Sequence, residues 1–225
     1  MAPTEAPTPG AALTDADPSM DAHLRAGIAI FNAGGYHPAH DAWEDHWLDL
    51  ESGTDDERLL HGLIQYTAAI HHAYQDNWVG LHGLAKSGGG YLADLPSPYR
   101  GVAIDPVRGF LAAVARDPEH IERVPHPALV IDGTAISPDD LDFEATVVAA
   151  TVLAEAAPGY EETALAEAVG YAREELDGAR NRFTALVFDF VRDPGRRDLV
   201  YQRLRSHVDR RRGREEDVEG LFDER

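Results

Sequence analysis

Apolar residues recur at helical spacing along most of this chain, and capping residues mark where the helices begin. In the first half this pattern predicts five helices, over residues 19–33, 38–50, 54–75, 78–92 and 105–116. Ser19 and Thr54 are favoured N-cap residues, and Pro38 has the fixed φ that suits a first helical turn. Thr54 and Glu57 have the spacing of a capping box, in which each side chain bonds the backbone N–H of the other. We therefore predict a helical bundle over residues 19–116.

The second half follows the same period with more interruptions. It predicts helices over residues 141–156, 160–177 and from Pro194 to about residue 212. Ser137 or Asp139 is expected to cap the first of these, while residues 183–191 fit either a helix or a strand. Within residues 129–136, Asp132-Gly133 suits the type I′ turn of a hairpin. The predicted fold class is mainly α: an N-terminal helical bundle and a C-terminal helical extension with at most one short β-hairpin.

Composition divides the chain further. The predicted units are a disordered leader rich in proline, alanine and threonine (1–18), the bundle (19–116), a connector with three prolines (117–128), the helical extension (129–212) and an acidic tail (213–225).

Acidic residues outnumber basic ones two to one. The chain has 40 aspartates and glutamates, 20 basic residues and a net charge of −20, and all of the basic residues except Lys86 are arginines. This balance is typical of halophilic proteins, although an acidic protein from a high-GC mesophile would look similar. We interpret the acidity as adaptation to salt, which screens the self-repulsion, and not as recognition of a cationic substrate.

Several classes of protein are excluded by the same composition. The chain has no cysteine, so a metal site would have to use histidine, aspartate or glutamate. No apolar run is long enough to span a membrane, and residues 1–10 lack the basic start and apolar core of a secretory signal. We therefore expect a cytoplasmic protein without membrane contact.

Histidines concentrate in one part of the chain, with seven of the eleven between residues 37 and 82. On a helical wheel His40 falls in the middle of the apolar face formed by Tyr36, Trp43 and Trp47, so we expect it to be buried. Glu44 follows one turn later, within reach of His40. Such a pair can serve as a metal ligand, a general base or a satisfied core histidine, and spacing leaves all three open.

The neighbouring histidines are expected to differ from His40. His37 and His46 point away from the apolar face, and we predict that they are solvated, as are His61 and His72 of the next helix. The candidate pocket residues are Tyr36, His40, Trp43, Glu44, Trp47, Gln65 and His71. Within this set, His40 and Glu44 are the catalytic candidates, and a divalent metal would take His40, Glu44 and His71.

Two motifs resemble a known family. The first is Phe31-x-x-Gly-x-Tyr-x-x-Ala-His-x-x-Trp-Glu-x-x-Trp47, and the second is Leu60-His-Gly-Leu-Ile-Gln65. Over residues 23–95 they are similar to the domain-of-unknown-function family 309, a compact all-α fold. Two positions depart from the family pattern, because Asp41 replaces a glutamate and His61 replaces a glutamine. The resemblance implies a fold and the place of a site, but no reaction, and the stretch beyond the connector resembles an extension of haloarchaeal members.

Three functions are consistent with these patterns. The leading hypothesis is a cytoplasmic, non-enzymatic helical protein with a buried polar His/Glu/Trp/Gln cluster in the bundle. The first alternative is a metal-assisted or acid–base hydrolase that uses His40, Glu44 and His71. The second is an assembly or nucleic-acid-contacting module built on the eight arginines between residues 196 and 214. The acidic residues that follow can neutralise those arginines, so we expect a solvated face or a contact between subunits of a homo-oligomer rather than nucleic-acid binding.

Overall fold

A computed structural model of the protein describes residues 19–176 and 181–223, so the predicted leader lies outside the described residues. The described residues form ten α-helices, a 3₁₀ turn and no β-strand, which confirms the mainly α fold class. The helices are α1 (Met20–Asn32), α2 (Tyr36–Trp47), α3 (Asp55–Tyr74), α4 (Trp78–Leu92), α5 (Ile104–Arg116), α6 (His120–Arg123), α7 (Phe143–Glu155), α8 (Glu162–Leu176), α9 (Arg182–Arg192) and α10 (Arg197–Asp223). Among these helices, none is both long and apolar enough to cross a membrane.

Capping side chains fix the starts of the first helices. Ser19 accepts a hydrogen bond from the N–H of Ala22 and begins α1, and Thr54 accepts one from the N–H of Glu57 and begins α3. Only the Thr54 half of the predicted capping box forms. The Glu57 carboxylate turns away from Thr54 and accepts hydrogen bonds from Trp47 and Gly53 instead.

Helix α2 is displaced from its predicted bounds of 38–50. It begins at Tyr36, because Pro38 is accommodated in the first turn, where its missing N–H has no intrahelical partner. It ends at Trp47, whose indole N–H donates to Glu57 at the start of α3, so the chain has to turn directly after the tryptophan.

Close helix contacts depend on two glycines. A Cβ at Gly27 would lie 2.1 Å from Nε1 of Trp43, so α1 carries a glycine where the fully buried indole of α2 crosses it. Gly62 of α3 likewise leaves space for Leu92 of α4, because a Cβ at Gly62 would lie 2.4 Å from Cδ2 of Leu92. These crossings decide which face of α2 and of α3 points inward.

The segment between the two helical regions contains the predicted turn. Asp132 and Gly133 have φ angles of 51° and 79°, as a type I′ turn requires, and Ile131 and Thr134 exchange hydrogen bonds of 2.9 Å. The pairing remains an isolated bridge and no strand forms among the described residues. The side-chain amide of Asn32, at the end of α1, holds the segment in place. It donates to the backbone carbonyls of Leu129 and Ile136, one on each side of the turn, and accepts from the N–H of Leu129.

Three elements of the second half differ from the prediction or resolve it. Helix α7 is capped by Asp142, so the predicted caps were wrong: Ser137 instead caps the 3₁₀ turn Pro138–Asp140. Residues 183–191 are helical within α9. Helix α10 continues to Asp223, beyond its predicted end at residue 212.

One hydrophobic core runs through both helical regions. Helix α7 packs on α1 and α2. Almost every side chain of α7 from Ala145 to Val152 is buried, because the helix is apolar on nearly all sides. The proposed division into bundle, connector and extension stays a prediction.

Candidate functional site

The His40–Glu44 pair lies at the surface of α2. The side chain of His40 is 30% exposed and that of Glu44 is 43% exposed, so the expected buried position of His40 was wrong. The physical reason is the choice of inward face: α2 turns Ala39, Ala42 and Trp43 to the core, and His40 is left at its edge. The predicted inward face was the one with the large aromatic residues, whereas the face that packs closely on α1 is the one with the alanines.

A carboxylate beside this pair joins it. Nδ1 of His40 lies 3.1 Å from Oδ1 of Asp41 and 3.7 Å from Oε2 of Glu44. The other oxygen of Asp41 lies 2.8 Å from Nδ1 of His37. His37 is exposed, as predicted, but it is bound to this carboxylate. The polar group on α2 is therefore a histidine–carboxylate cluster that includes Asp41.

Of the two expected partners from α3, His71 meets the edge of this cluster through His37, and Gln65 packs against α4. Nε2 of His71 lies 2.7 Å from the side-chain nitrogen of Gln75, and its ring centroid is 6.4 Å from that of His37. Gln65 packs towards α4, where a Cβ at Gly88 would lie 3.0 Å from its own Cβ. The grouping of His40 and Glu44 with Gln65 and His71 in one pocket stays a prediction.

The aromatic residues of the predicted pocket are distributed over three places. Trp43 belongs to the core, and Trp47 lines a cleft on the other side of α3. Tyr36 lies 2.9 Å from Nε2 of His126 in the connector and stacks on Tyr74. Burial, followed by the hydrogen bond with Tyr74, raises the pKa of Tyr36 to about 12, so its hydroxyl stays protonated.

Two histidines predicted to be solvated are enclosed. The ring of His46 stacks on that of His23 at 5.2 Å, and burial lowers the pKa of His46. His61 lies in the cleft between α3 and α4, with 17% of its side chain exposed. His72 pairs with Asn77, whose side chain also caps α4.

The cleft that contains His61 opens between the end of α2, α3 and α4 and has a volume of about 770 Å³. Its lining combines aromatic rings, small residues and both signs of charge. The lining residues are Trp47, Ser52, Gly53, Glu57, Arg58, His61, Gly83, Lys86, Ser87, Gly90 and Tyr91.

Glu57 anchors His61 within the cleft. Its carboxylate accepts hydrogen bonds from the indole N–H of Trp47 (3.0 Å) and the backbone N–H of Gly53 (3.3 Å), and lies 3.1 Å from Nδ1 of His61. Burial by itself would raise the pKa of Glu57, but the hydrogen bonds from Trp47, His61 and Gly53 together hold it below its ordinary value. An ionised Glu57 places the proton of the imidazole on Nδ1.

Aromatic neighbours fix the plane of His61. Its ring stacks on Tyr91 with 3.7 Å between centroids, and Trp47 covers another side at 4.6 Å. Nε2 makes no hydrogen bond to the residues that the structure describes. The imidazole can therefore accept a proton or a hydrogen bond at Nε2, and can donate one there once protonated.

Two cationic side chains line the same cleft as His61. Arg58 is held by Asp94 at 3.1 Å and Asp55 at 3.7 Å, whereas Lys86 has no ion pair within 19–176 and 181–223. A Cβ at Gly83 would have no atom within 4 Å, so this part of the wall is open. The chain thus places its only lysine in a cleft with a half-buried histidine and an arginine.

Sequence reasoning missed this group although signals for it were present. Glu57 and His61 stand four positions apart on a helix, which brings their side chains together, and Lys86 is the only lysine of the sequence. What the sequence could not show is that Tyr91, thirty residues after His61, covers the imidazole.

Some of the arginines of α10 bind acidic residues of the protein itself. Arg211 and Arg212 pair with Glu174 and Glu167 of α8, and the Arg211 guanidinium lies 4.0 Å from the centroid of the Tyr171 ring. These contacts clasp α10 to α8, so a large part of its positive charge is already used within the chain.

The protein is thus of the all-α class, with a histidine–carboxylate cluster on α2 and an anchored histidine on α3. Residues 24–84 match the model of the family described as Domain of unknown function (DUF309). This match, which runs from α1 into α4, confirms the family resemblance predicted from the motifs of α2 and α3. No curated protein matches the chain. The matched residues include Glu57 and His61 but end before Lys86 and Tyr91, so the cleft extends beyond the family segment.

Proposed function

We propose that this protein is a non-enzymatic binding protein that holds a small planar anion in the cleft between α3 and α4. The observation that carries the proposal is the placement of Lys86, the only lysine in a chain of net charge −20, on the wall of the cleft that contains the anchored His61. A protein surface with this excess of acid repels anions, so an unpaired ammonium in a cleft is a specific local exception.

The lining suggests how such a ligand would bind. The ammonium of Lys86 would pair with a carboxylate or phosphate group, and Nε2 of His61 would hydrogen-bond to the same group or to a neighbouring polar atom. The exposed edges of Trp47 and Tyr91 would contact the flat, apolar part of the ligand. A ligand with a ring and one acidic group fits this combination of charge and aromatic walls.

Calorimetric titration with benzoate tests the proposal. We expect benzoate to bind the full chain at 0.15 M salt, and benzamide, which has the same shape without the charge, to bind about tenfold more weakly. Lys86→Gln should weaken benzoate binding by about tenfold, which corresponds to about 1.4 kcal/mol. The control is Arg116→Gln, which removes one positive charge from an exposed site on α5 outside the cleft and should leave binding unchanged.

Two results would refute the binding proposal. Equal affinities for benzoate and benzamide would mean that charge is not recognised, and equal losses in the two variants would mean that only net charge matters. Hydrolysis of p-nitrophenyl acetate or p-nitrophenyl phosphate that is abolished in His61→Gln would instead favour the hydrolase alternative. In that case His61, held by Glu57, would be the acid–base group in place of His40, Glu44 and His71.

The remaining expectations also stay proposals: a cytoplasmic location, salt adaptation and assembly through α10. A deletion of α10 cannot test assembly, because Val200, Leu204 and Val208 are buried in the core. Arg203→Gln, which changes an exposed arginine that has no acidic partner among the described residues, leaves the core intact. An oligomer measured by light scattering that persists in this variant would argue against assembly through that side of the helix.

A further inference from the structure

We propose that His40, Asp41 and Glu44, with His37 against the outer oxygen of Asp41, form a binding site for a divalent transition-metal ion of the Zn²⁺ type on the surface of α2. The site is separate from the anion proposed for the cleft, and neither proposal depends on the other.

The first support is the arrangement of ligand atoms. His40, Asp41 and Glu44 each offer one nitrogen or oxygen atom, and these three atoms lie within 4.8 Å of one another. Zinc bonds of 2.0–2.2 Å in a tetrahedral site place neighbouring ligand atoms about 3.4 Å apart. Because Nδ1 of His40 is already 3.1 Å from Asp41 and 3.7 Å from Glu44, small side-chain rotations bring the three atoms to that spacing.

The second support is the helical register. His37 and Asp41 form one i,i+4 pair, and His40 and Glu44 form another, so two interleaved pairs share a single face of α2. Asp41 lies at the centre, with one oxygen towards His37 and the other towards His40. An ion bound by these atoms would link two adjacent turns of the helix.

The third support is the absence of a competing cation. Among the residues that the structure describes, Asp41 and Glu44 have no lysine or arginine partner, whereas other carboxylates such as Asp56 are paired with arginine. Asp45 on α2 and Glu155 at the end of α7 are close enough to Asp41 to repel it. A bound dication relieves this repulsion, which favours metal binding further.

The ligand types define the class of ion. Imidazole nitrogen with carboxylate oxygen suits zinc and its transition-metal neighbours, whereas Mg²⁺ and Ca²⁺ prefer oxygen alone. The side chains are 26% to 69% exposed, so water can complete the coordination. A site of this kind would cross-link two turns of α2 at the surface or exchange its metal ion with solvent, and would not be a buried structural metal centre.

Isothermal titration of untagged, chelator-treated protein with ZnCl₂ tests the site. We expect one zinc ion per chain, and at least about tenfold weaker binding in His40→Ala and in Glu44→Gln. The matched controls are His82→Ala and Glu51→Gln, which change exposed residues of the same types elsewhere and should bind as the wild type does. A tenfold excess of Mg²⁺ should not displace the zinc.

Three results would overturn the proposal: no zinc binding by the wild type, equal affinity in His40→Ala and His82→Ala, or displacement of zinc by Mg²⁺. Helicity measured by circular dichroism accompanies each titration. If His40→Ala lost helicity, Glu44→Gln against Glu51→Gln would decide, because the more exposed Glu44 contributes little to packing.

Discussion

Replacement of Glu57 by glutamine tests whether its carboxylate ties α2 to α3. The carboxylate receives the Trp47 indole N–H and lies against His61 on one oxygen, and it receives the N–H of Gly53 on the other. Glutamine keeps the first oxygen but places an NH₂ group against the Gly53 N–H. One hydrogen bond to a charged group, with a contribution of about 1.5–3 kcal/mol, becomes a contact between two donors. We expect Glu57→Gln to lower the free energy of unfolding by about 2 kcal/mol.

Urea denaturation followed by tryptophan fluorescence measures this loss. The control is Glu51→Gln, an exposed glutamate in the loop before α3, which should stay within about 0.5 kcal/mol of the wild type. If the two variants differ by less than that amount, the carboxylate does not hold the two helices together and the anchoring of His61 fails with it.

The pH dependence of the same variant gives a second test. The ordinary pKa of glutamate is 4.5, and the folded protein holds the pKa of Glu57 below this value. The stabilising contribution of Glu57 is therefore fully present above pH 4.5 and is lost as the pH falls through the folded value. The stability of wild type and Glu57→Gln should converge below pH 4.5. A difference that stays constant into acid would contradict the ionised state that we assign to Glu57.

Two further substitutions probe packing and titration. Gly27→Ala places a methyl group 2.1 Å from Nε1 of Trp43 and should lower the free energy of unfolding by about 3 kcal/mol. In the control, Gly109→Ala, the methyl group meets no atom within 4 Å and should raise the free energy of unfolding by about 0.5–1 kcal/mol. Urea unfolding that ranks the two variants the other way would refute the close crossing of α1 and α2. Because burial lowers the pKa of His46, its neutral form stabilises the fold above the ordinary value of 6.5, and this contribution is lost as the pH falls through the folded value. Thermal unfolding between pH 7 and 5 should show a flatter profile in His46→Gln than in His82→Gln, and equal slopes would count against burial of His46.

Local signals in the sequence were sufficient for most helices. Ser19, Thr54 and Asn77 cap their helices through side-chain bonds to residues three positions ahead, so the information lies within a few residues. The same is true of the turn at Asp132 and Gly133, where both residues adopt the positive φ angles that a type I′ turn requires.

The site depended on contacts that the sequence does not display. The inward face of α2 is set by Gly27 on another helix, and this shifted His40 from the expected core to the surface. His61 looked solvated on a wheel of its own helix, but Tyr91 and Trp47 enclose it from two other helices. Helical periodicity predicts that a face is buried somewhere, but the partner helix decides which polar residues at its margin meet.

The packing of α7 on α1 also has a consequence for synthesis on the ribosome. Helix α7 begins about 110 residues after the end of α1. At about 5–20 residues per second, the side of α1 that α7 covers stays open for about 6 to 20 seconds after α1 has been made. The segment that matches the family therefore emerges with part of its core uncovered, and during this interval the nascent chain is most exposed to association with other chains.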